Sequence, residues 1–197
     1  YDFRSKTEQE IVLGEEKWKL IELSDVSVDG KYLFYFGRQQ GDVLDDLFYF
    51  DLEAGVNHKL TDAPIHEWGQ VLSRDGKWLA YTSEKDSKGL FEIYLNRFPE
   101  MDQEIRISDG GGEEPKWLHD GSGIYYRNGS QWMKVKMNLE GEPEISEPKL
   151  FFEGEYVNVW GPSHDTFADG RILLLKGEEW VPPTEIDVII NALDVDP

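Results

Sequence analysis

The sequence lacks cysteine and lacks long apolar segments. None of its 197 residues is Cys, which excludes disulfide bonds, a thiolate nucleophile and a cysteine-ligated zinc site. No stretch approaches the roughly 18 consecutive apolar residues of a membrane-spanning helix, so we expect no direct insertion into a membrane. No window shows an apolar period of 3.6 residues over more than about ten residues, which predicts few helices.

Basic residues are also scarce. The chain has 20 Lys and Arg residues against 40 Asp and Glu residues, which gives a net charge of −20. Because this charge repels phosphate backbones, we expect no nucleic acid as a partner. The acidic residues are spread among turns, such as Asp42, Asp45 and Asp46, which is typical of a solvated surface. A divalent cation held at these acidic loops, or a basic partner, is the alternative interpretation.

An Asp-Gly pair recurs four times at nearly constant intervals. The pairs are Asp29-Gly30, Asp75-Gly76, Asp120-Gly121 and Asp169-Gly170, which are 46, 45 and 49 residues apart. Asp-Gly between apolar runs signals a tight turn, because Gly accepts a positive φ and Asp can bond its own backbone. Each pair therefore predicts a hairpin within a repeat of about 45 residues.

The residues after each turn match from repeat to repeat. Three positions past the Gly the chain has Leu33, Leu79, Ile124 and Leu173, and two positions further it has Tyr35, Tyr81, Tyr126 and Leu175. Residues two apart share one face of a strand, so these positions predict one buried face repeated four times. The positions between them are also apolar, namely Phe34, Ala80, Tyr125 and Leu174. We therefore expect neighbouring sheets to cover both faces of this strand.

Two more strands complete each repeat. Third strands rich in aromatic and β-branched residues are predicted at 47–52, 91–95, 132–137 and 186–190, and short outer strands at 58–61 and 104–108. Four strands in about 45 residues are typical of one blade of a β-propeller. The sequence thus predicts an all-β fold in one domain, 1–197. Its blades would be 1–15 (partial), 16–62, 63–109, 110–154 and 155–193.

The turn segments resemble a known repeat family. Segments 26–33 and 72–81 are similar to the W-S-P-D-G-K-x-L-A-Y signature of TolB-like, or WD40-like, propeller repeats. More narrowly, segments 91–99 and 107–117 resemble the last blades of bacterial proteins whose propeller follows a kinase or winged-helix domain. The resemblance implies a TolB-like β-propeller of six blades, of which about four and a half four-stranded blades are present. It also implies a periplasmic or other extracytoplasmic location.

An open ring of blades would leave unburied flanks and unpaired strand edges. The resemblance places the missing blades on the N-terminal side. We therefore expect those blades, or another chain, to close the ring. The 197-residue chain alone is expected to oligomerise or to be only marginally stable.

Candidate binding residues gather where each innermost strand should begin. In propellers of this kind these entry points share one rim of the central channel. That rim would bring together Lys17, Trp18, His66, Glu67, Trp68, Glu113, Glu114, Asn158, Trp160 and His164. Trp supplies contact area and carboxylates orient a partner, so the rim predicts binding of a protein or peptide. Alternatively, these Trp side chains only fill the space between blades.

No motif predicts catalysis or a cofactor. The histidines His58, His66, His119 and His164 lack a short metal-ligand spacing, and Ser163-His164-Asp165 has triad residue types without the separation that a triad needs. We therefore predict a non-catalytic interaction or ligand-sensing module without a cofactor. The resemblance leaves enzyme alternatives, a metal-dependent oligogalacturonate lyase or the gating propeller of a serine peptidase. A periplasmic scaffold of the Tol type is a third alternative.

Overall fold

The described chain consists of β-strands and turns. The computed structural model describes residues 11–13, 17–86, 89–157 and 163–176, and no helix occurs among them. The strands are β1 (Trp18–Val26), β2 (Tyr32–Gln39), β3 (Asp46–Asp51), β4 (Val56–Lys59), β5 (Glu67–Leu72), β6 (Trp78–Ser83), β7 (Glu92–Arg97), β8 (Ile105–Arg106), β9 (Glu113–Trp117), β10 (Gly123–Asn128), β11 (Gln131–Asn138), β12 (Glu144–Ile145), β13 (Lys149–Glu153), β14 (His164–Thr166) and β15 (Ile172–Leu174). The predicted all-β class is confirmed.

All four Asp-Gly pairs form the turn between the first and second strands of a sheet. The Gly residues have φ values of 72°, 74°, 74° and 83°, in the left-handed region that Gly adopts without a steric cost. In the second repeat the Asp75 carboxylate accepts the Ser73 hydroxyl at 2.6 Å, and Ser73 Oγ accepts the Trp78 N–H at 2.9 Å. The same pattern in the first repeat joins Ser27, Asp29 and Tyr32. The predicted hairpins are confirmed.

The first two sheets are antiparallel meanders of four strands. Their orders are β1-β2-β3-β4 and β5-β6-β7-β8. The third strands match the predicted segments within one or two residues, whereas the outer strands are shorter or shifted by two residues. The strand predicted at 186–190 lies outside the described residues.

The third sheet departs from the expected four strands. Its outer strand is split, because β12 pairs with the end of β11 at Met137 and Asn138 while β13 pairs with its beginning. Between the two pieces, Ser146 binds Lys136 through both its N–H and its hydroxyl, at 2.9 and 3.0 Å. Pro148 follows, and it has no N–H to donate to the ladder. The edge of this sheet is therefore interrupted.

The core lies between neighbouring sheets. Strand β1 lies beside β5, β5 beside β9, and β9 beside β14. The first and second sheets pack through Phe34, Phe36, Leu47, Leu72, Leu79, Tyr81, Tyr94 and Phe98. The second and third pack through Val71, Trp78, Ala80, Ile93, Leu95, Ile107, Ile124, Tyr126, Val135 and Met137. Successive blades of a propeller are expected to have adjacent inner strands and to pack their sheets face against face, as these sheets do.

The burial predicted for the second strands holds in the second and third sheets and fails in the fourth. Leu79, Tyr81, Ile124 and Tyr126 are at most 1% exposed. In contrast, Leu173 is 41% and Leu175 is 39% exposed, and Leu33 is only half-buried. Only two strands of the fourth sheet, β14 and β15, are described, and no described sheet packs on its side away from the third sheet.

Candidate functional site

The sequence-predicted site residues lie at the start of the inner strands. Lys17 precedes β1, which begins at Trp18, while β5 begins at Glu67, β9 at Glu113 and β14 at His164. Corresponding ends of these strands are linked, because Glu114 near the start of β9 binds His164 and Asp25 near the end of β1 binds the N–H of Leu72. Asn158 and Trp160 lie outside the described residues. Lys17 is exposed.

The two described tryptophans of this set pack against neighbouring aromatic rings. Trp18 contacts Tyr35 and Phe48 edge-on, with ring centroids 5.6 and 4.9 Å away. Trp68 lies 6.3 Å from Phe36 and 5.9 Å from Phe91. Both side chains thus contribute to packing within and between the first two sheets.

His66 and Glu67 bind groups inside the protein. His66 Nδ1 lies 3.0 Å from Asp45 Oδ2, and the same carboxylate receives two bonds from the Arg38 guanidinium at 2.9 and 3.0 Å. Glu67 is buried and accepts the Ser83 hydroxyl at 3.1 Å, while its Oε2 has no hydrogen-bond partner in the described part of the chain. Burial raises the pKa of the Glu67 carboxyl.

Glu114, Ser163 and His164 form a buried cluster between β9 and β14. Glu114 Oε2 accepts the Ser163 N–H at 2.7 Å and the Ser163 hydroxyl at 2.6 Å, and lies 3.4 Å from His164 Nδ1. Burial disfavours the charged carboxylate, but the bonds from His164 and Ser163 outweigh it and lower the pKa of Glu114. The Ser163 hydroxyl is directed at Glu114 and not at His164, so this is not a Ser–His nucleophile pair.

A bulge in β9 directs Glu114 toward β14. Glu114 has a φ of 55°, and the pairing of β9 with β10 is irregular between Tyr125 and Arg127. Bulges of this kind re-aim a side chain. Glu113, the preceding residue, is half-buried and pairs in register with Arg127. The structure therefore brings Glu114 and His164 together, whereas Trp18, Glu67 and Trp68 each have separate partners.

A cavity of about 200 Å³ lies at the opposite ends of the inner strands. Its apolar walls are Val26, Val28, Val71, Leu72, Trp117 and Leu118, and its polar lining is Asp25, Arg74, Lys116, His119, Asp165 and Thr166. Sequence reasoning missed this site, because it considered only the starts of the inner strands.

Hydrogen bonds between neighbouring inner strands fix the walls of the cavity. Asp25 accepts the N–H of Leu72 at 3.0 Å, Trp117 donates its indole N–H to the carbonyl of Val71 at 3.1 Å, and Thr166 donates its hydroxyl to the carbonyl of Trp117 at 3.2 Å. Burial raises the pKa of Asp25 against the opposing effects of the Leu72 N–H and Lys116. These hydrogen bonds thus join β1, β5, β9 and β14 around the opening of the cavity.

Three solved structures share this arrangement of strands. A protein assigned as TolB from Agrobacterium tumefaciens matches with a TM-score of 0.55 at 21% identity, over 70% of this chain and 50% of that one. TolB from Acinetobacter baumannii matches with a TM-score of 0.60 at 20% identity, over 82% and 39%. A prolyl endopeptidase matches with a TM-score of 0.52 at 17% identity, over 80% and 26%.

The fold is a TolB-like β-propeller. The chain spans half or less of the length of these proteins, and the described sheets do not close into a ring. No protein-family model and no curated protein matches the sequence. The narrower resemblance to kinase-linked propellers stays a prediction.

The described part of the propeller offers no obvious metal centre. No group of three or more His, Asp or Glu side chains there is arranged to hold a metal ion. In the same residues, no helix has the length and apolarity needed to cross a membrane.

Proposed function

We propose that this propeller is a non-catalytic interaction or ligand-sensing module that binds a protein segment or peptide at the ends of its inner strands. The observation that carries the proposal is the cavity of about 200 Å³ at that end. Concave sites with apolar walls and a few convergent polar groups are where proteins commonly bind ligands. At the other end, Trp18, Glu67, Trp68, Glu114 and His164 are already engaged by neighbouring side chains.

Selection of peptides from a random library on the 197-residue chain tests this function. We expect enriched peptides to share a motif and to bind less tightly to the Lys116→Gln variant, because Lys116 lines the cavity. Lys149→Gln is the matched control, since Lys149 is an exposed residue of β13. Peptides without a shared motif, or equal loss of binding in both variants, would contradict the proposal.

A further inference from the structure

Two cations of the cavity form no close ion pair with a described Asp or Glu. They are Arg74 and Lys116, although the chain has twice as many acidic as basic residues. Lys116 is near enough to Asp25 to favour its ionised form. The Arg74 guanidinium lies 3.1 Å from His119 Nε2. Unpaired cations that face a cavity in a strongly acidic protein can receive a carboxylate from outside.

Two carboxylates face the same cavity. Asp25 accepts the N–H groups of Leu72 and Val26, and Asp165 accepts the N–H of Thr166 at 2.8 Å. These bonds orient the carboxylates and leave part of their capacity free, because an ionised carboxylate has about four acceptor positions. The free positions suit an ammonium group.

The remaining wall is apolar and partly open. Val26 is 52% and Val28 is 68% exposed, and they lie near Val71, Leu72 and Leu118 around the cavity. Exposed apolar side chains grouped beside charged ones are typical of binding sites. The volume of about 200 Å³ is below the roughly 300–1,000 Å³ of pockets for drug-sized ligands, so the cavity suits a group of the size of one amino acid.

We infer that the cavity binds a small aliphatic α-amino acid as a zwitterion. Lys116 and Arg74 would bind its carboxylate, Asp25 and Asp165 its ammonium group, and the valine wall its side chain. This inference rests on the ligand-sensing form of the proposed function and names a free amino acid, in place of a peptide, as the ligand of the same site. A ligand that carries both charges matches both pairs of side chains, whereas an ion of one sign leaves the other pair unsatisfied.

Calorimetric titration of the 197-residue chain with four probes tests the inference. The probes are leucine, 4-methylpentanoate, which lacks the ammonium group, 3-methylbutylamine, which lacks the carboxylate, and glycine, which lacks the side chain. We expect leucine to bind at least about tenfold more tightly than each of the other three. Equal binding of any single-charge probe, or no binding of leucine, would overturn the inference.

Substitutions in the cavity test whether leucine binds there. Lys116→Gln and Asp165→Asn should each weaken leucine binding about tenfold, whereas Lys149→Gln and Asp42→Asn, at exposed positions outside the cavity lining, should leave it unchanged. Unchanged urea unfolding midpoints establish that the variants fold, and leucine binding unaffected by both cavity variants overturns the assignment. If library peptides bind at the cavity and leucine does not, the inference fails and the proposed function stands. If neither binds, both fail.

Discussion

At the residue scale, Glu114 connects β9 to β14 through one carboxylate oxygen. Replacing it with Ala leaves the N–H and hydroxyl of Ser163 and the ring of His164 without their acceptor in a buried place. Unsatisfied buried donors cost about 1–3 kcal/mol each, so we expect Glu114→Ala to lower the free energy of unfolding by about 2–4 kcal/mol at pH 7. Urea denaturation measures this change in the free energy of unfolding.

The neighbouring Glu113 provides the matched control, because it is half-buried and no hydrogen bond of its side chain is recorded in the described part of the chain. We expect Glu113→Ala to change stability by less than about 1 kcal/mol. Since the pKa of Glu114 is lowered below its ordinary value of 4.5, its contribution is present above that value and is lost as the pH falls through the folded-state pKa. Equal losses in the two variants would contradict the role of Glu114.

Glu67 has the opposite pH dependence. Its buried carboxyl has a raised pKa, so its contribution to stability is present below the unfolded-state pKa and is lost as the pH rises through the folded-state pKa. Glu67→Gln removes the ionisable group and keeps an acceptor for the Ser83 hydroxyl. We expect this variant to be more stable than the parent by about 1 kcal/mol at pH 7, with little difference at pH 4.

Thermal unfolding at the two pH values measures the effect of Glu67→Gln, and Glu100→Gln is the control because Glu100 is exposed. A variant that is less stable than the parent at pH 7, or a gain of equal size at both pH values, would show that ionisation of Glu67 does not oppose folding.

At the scale of elements, Gln70 joins the first two sheets. Its side chain, fully buried in β5, donates to the carbonyls of Tyr35 and Phe48 at 2.6 and 3.1 Å and accepts the Ser24 hydroxyl at 2.9 Å. A buried amide with three partners across an interface is costly to replace. We expect Gln70→Leu to lower the free energy of unfolding by about 2–4 kcal/mol in urea denaturation.

The exposed Gln40 supplies the control for the same chemical change. Gln40→Leu should leave stability within about 0.5 kcal/mol of the parent. If Gln70→Leu were equally mild, the apolar packing of the first two sheets would hold them together without this amide, and the bonds from Gln70 would add little.

The elements show why sequence predicted the strands better than the site. Each hairpin depends on adjacent residues, so Asp75-Gly76 and its three equivalents could be identified from local chemistry alone. The cavity instead combines Asp25, Arg74, Lys116 and Asp165, which are far apart in the chain and meet only because the inner strands lie side by side. Asp25, Lys116 and Asp165 each stand four residues before the Asp of their Asp-Gly pair, so the repeat places them at equivalent positions, but it does not show that a cavity opens there.

The predicted rim shows what the repeat pattern leaves open. The pattern predicts Trp18 and Glu114 at the start of an inner strand. The direction of each side chain depends on packing and on the bulge at Glu114, neither of which follows from the repeat pattern. Local periodicity therefore predicts where a residue lies along a strand better than what it contacts.

At the scale of the whole molecule, the innermost strand of the first sheet exposes apolar side chains. Leu23 and Val26 belong to this strand, β1, and Val26 lines the cavity beside Val71 and Leu72 of the second sheet. Leu23 is 63% and Val26 is 52% exposed. Because exposed apolar side chains favour association, we expect the chain to self-associate through these side chains of β1. Sedimentation equilibrium measures the mass of the associated species.

Leu23→Lys should shift the population toward the monomer, whereas Val43→Lys, at an exposed loop position, should not. The net charge of −20 opposes association, and salt screens that repulsion over a Debye length of about 10 Å at 0.1 M. Apolar association of this acidic chain should therefore strengthen as NaCl is raised, while association through ion pairs would weaken. A stable, monodisperse monomer at all salt concentrations would contradict the prediction. Association that weakens with salt would assign the contact to charged residues instead of the exposed apolar side chains of β1.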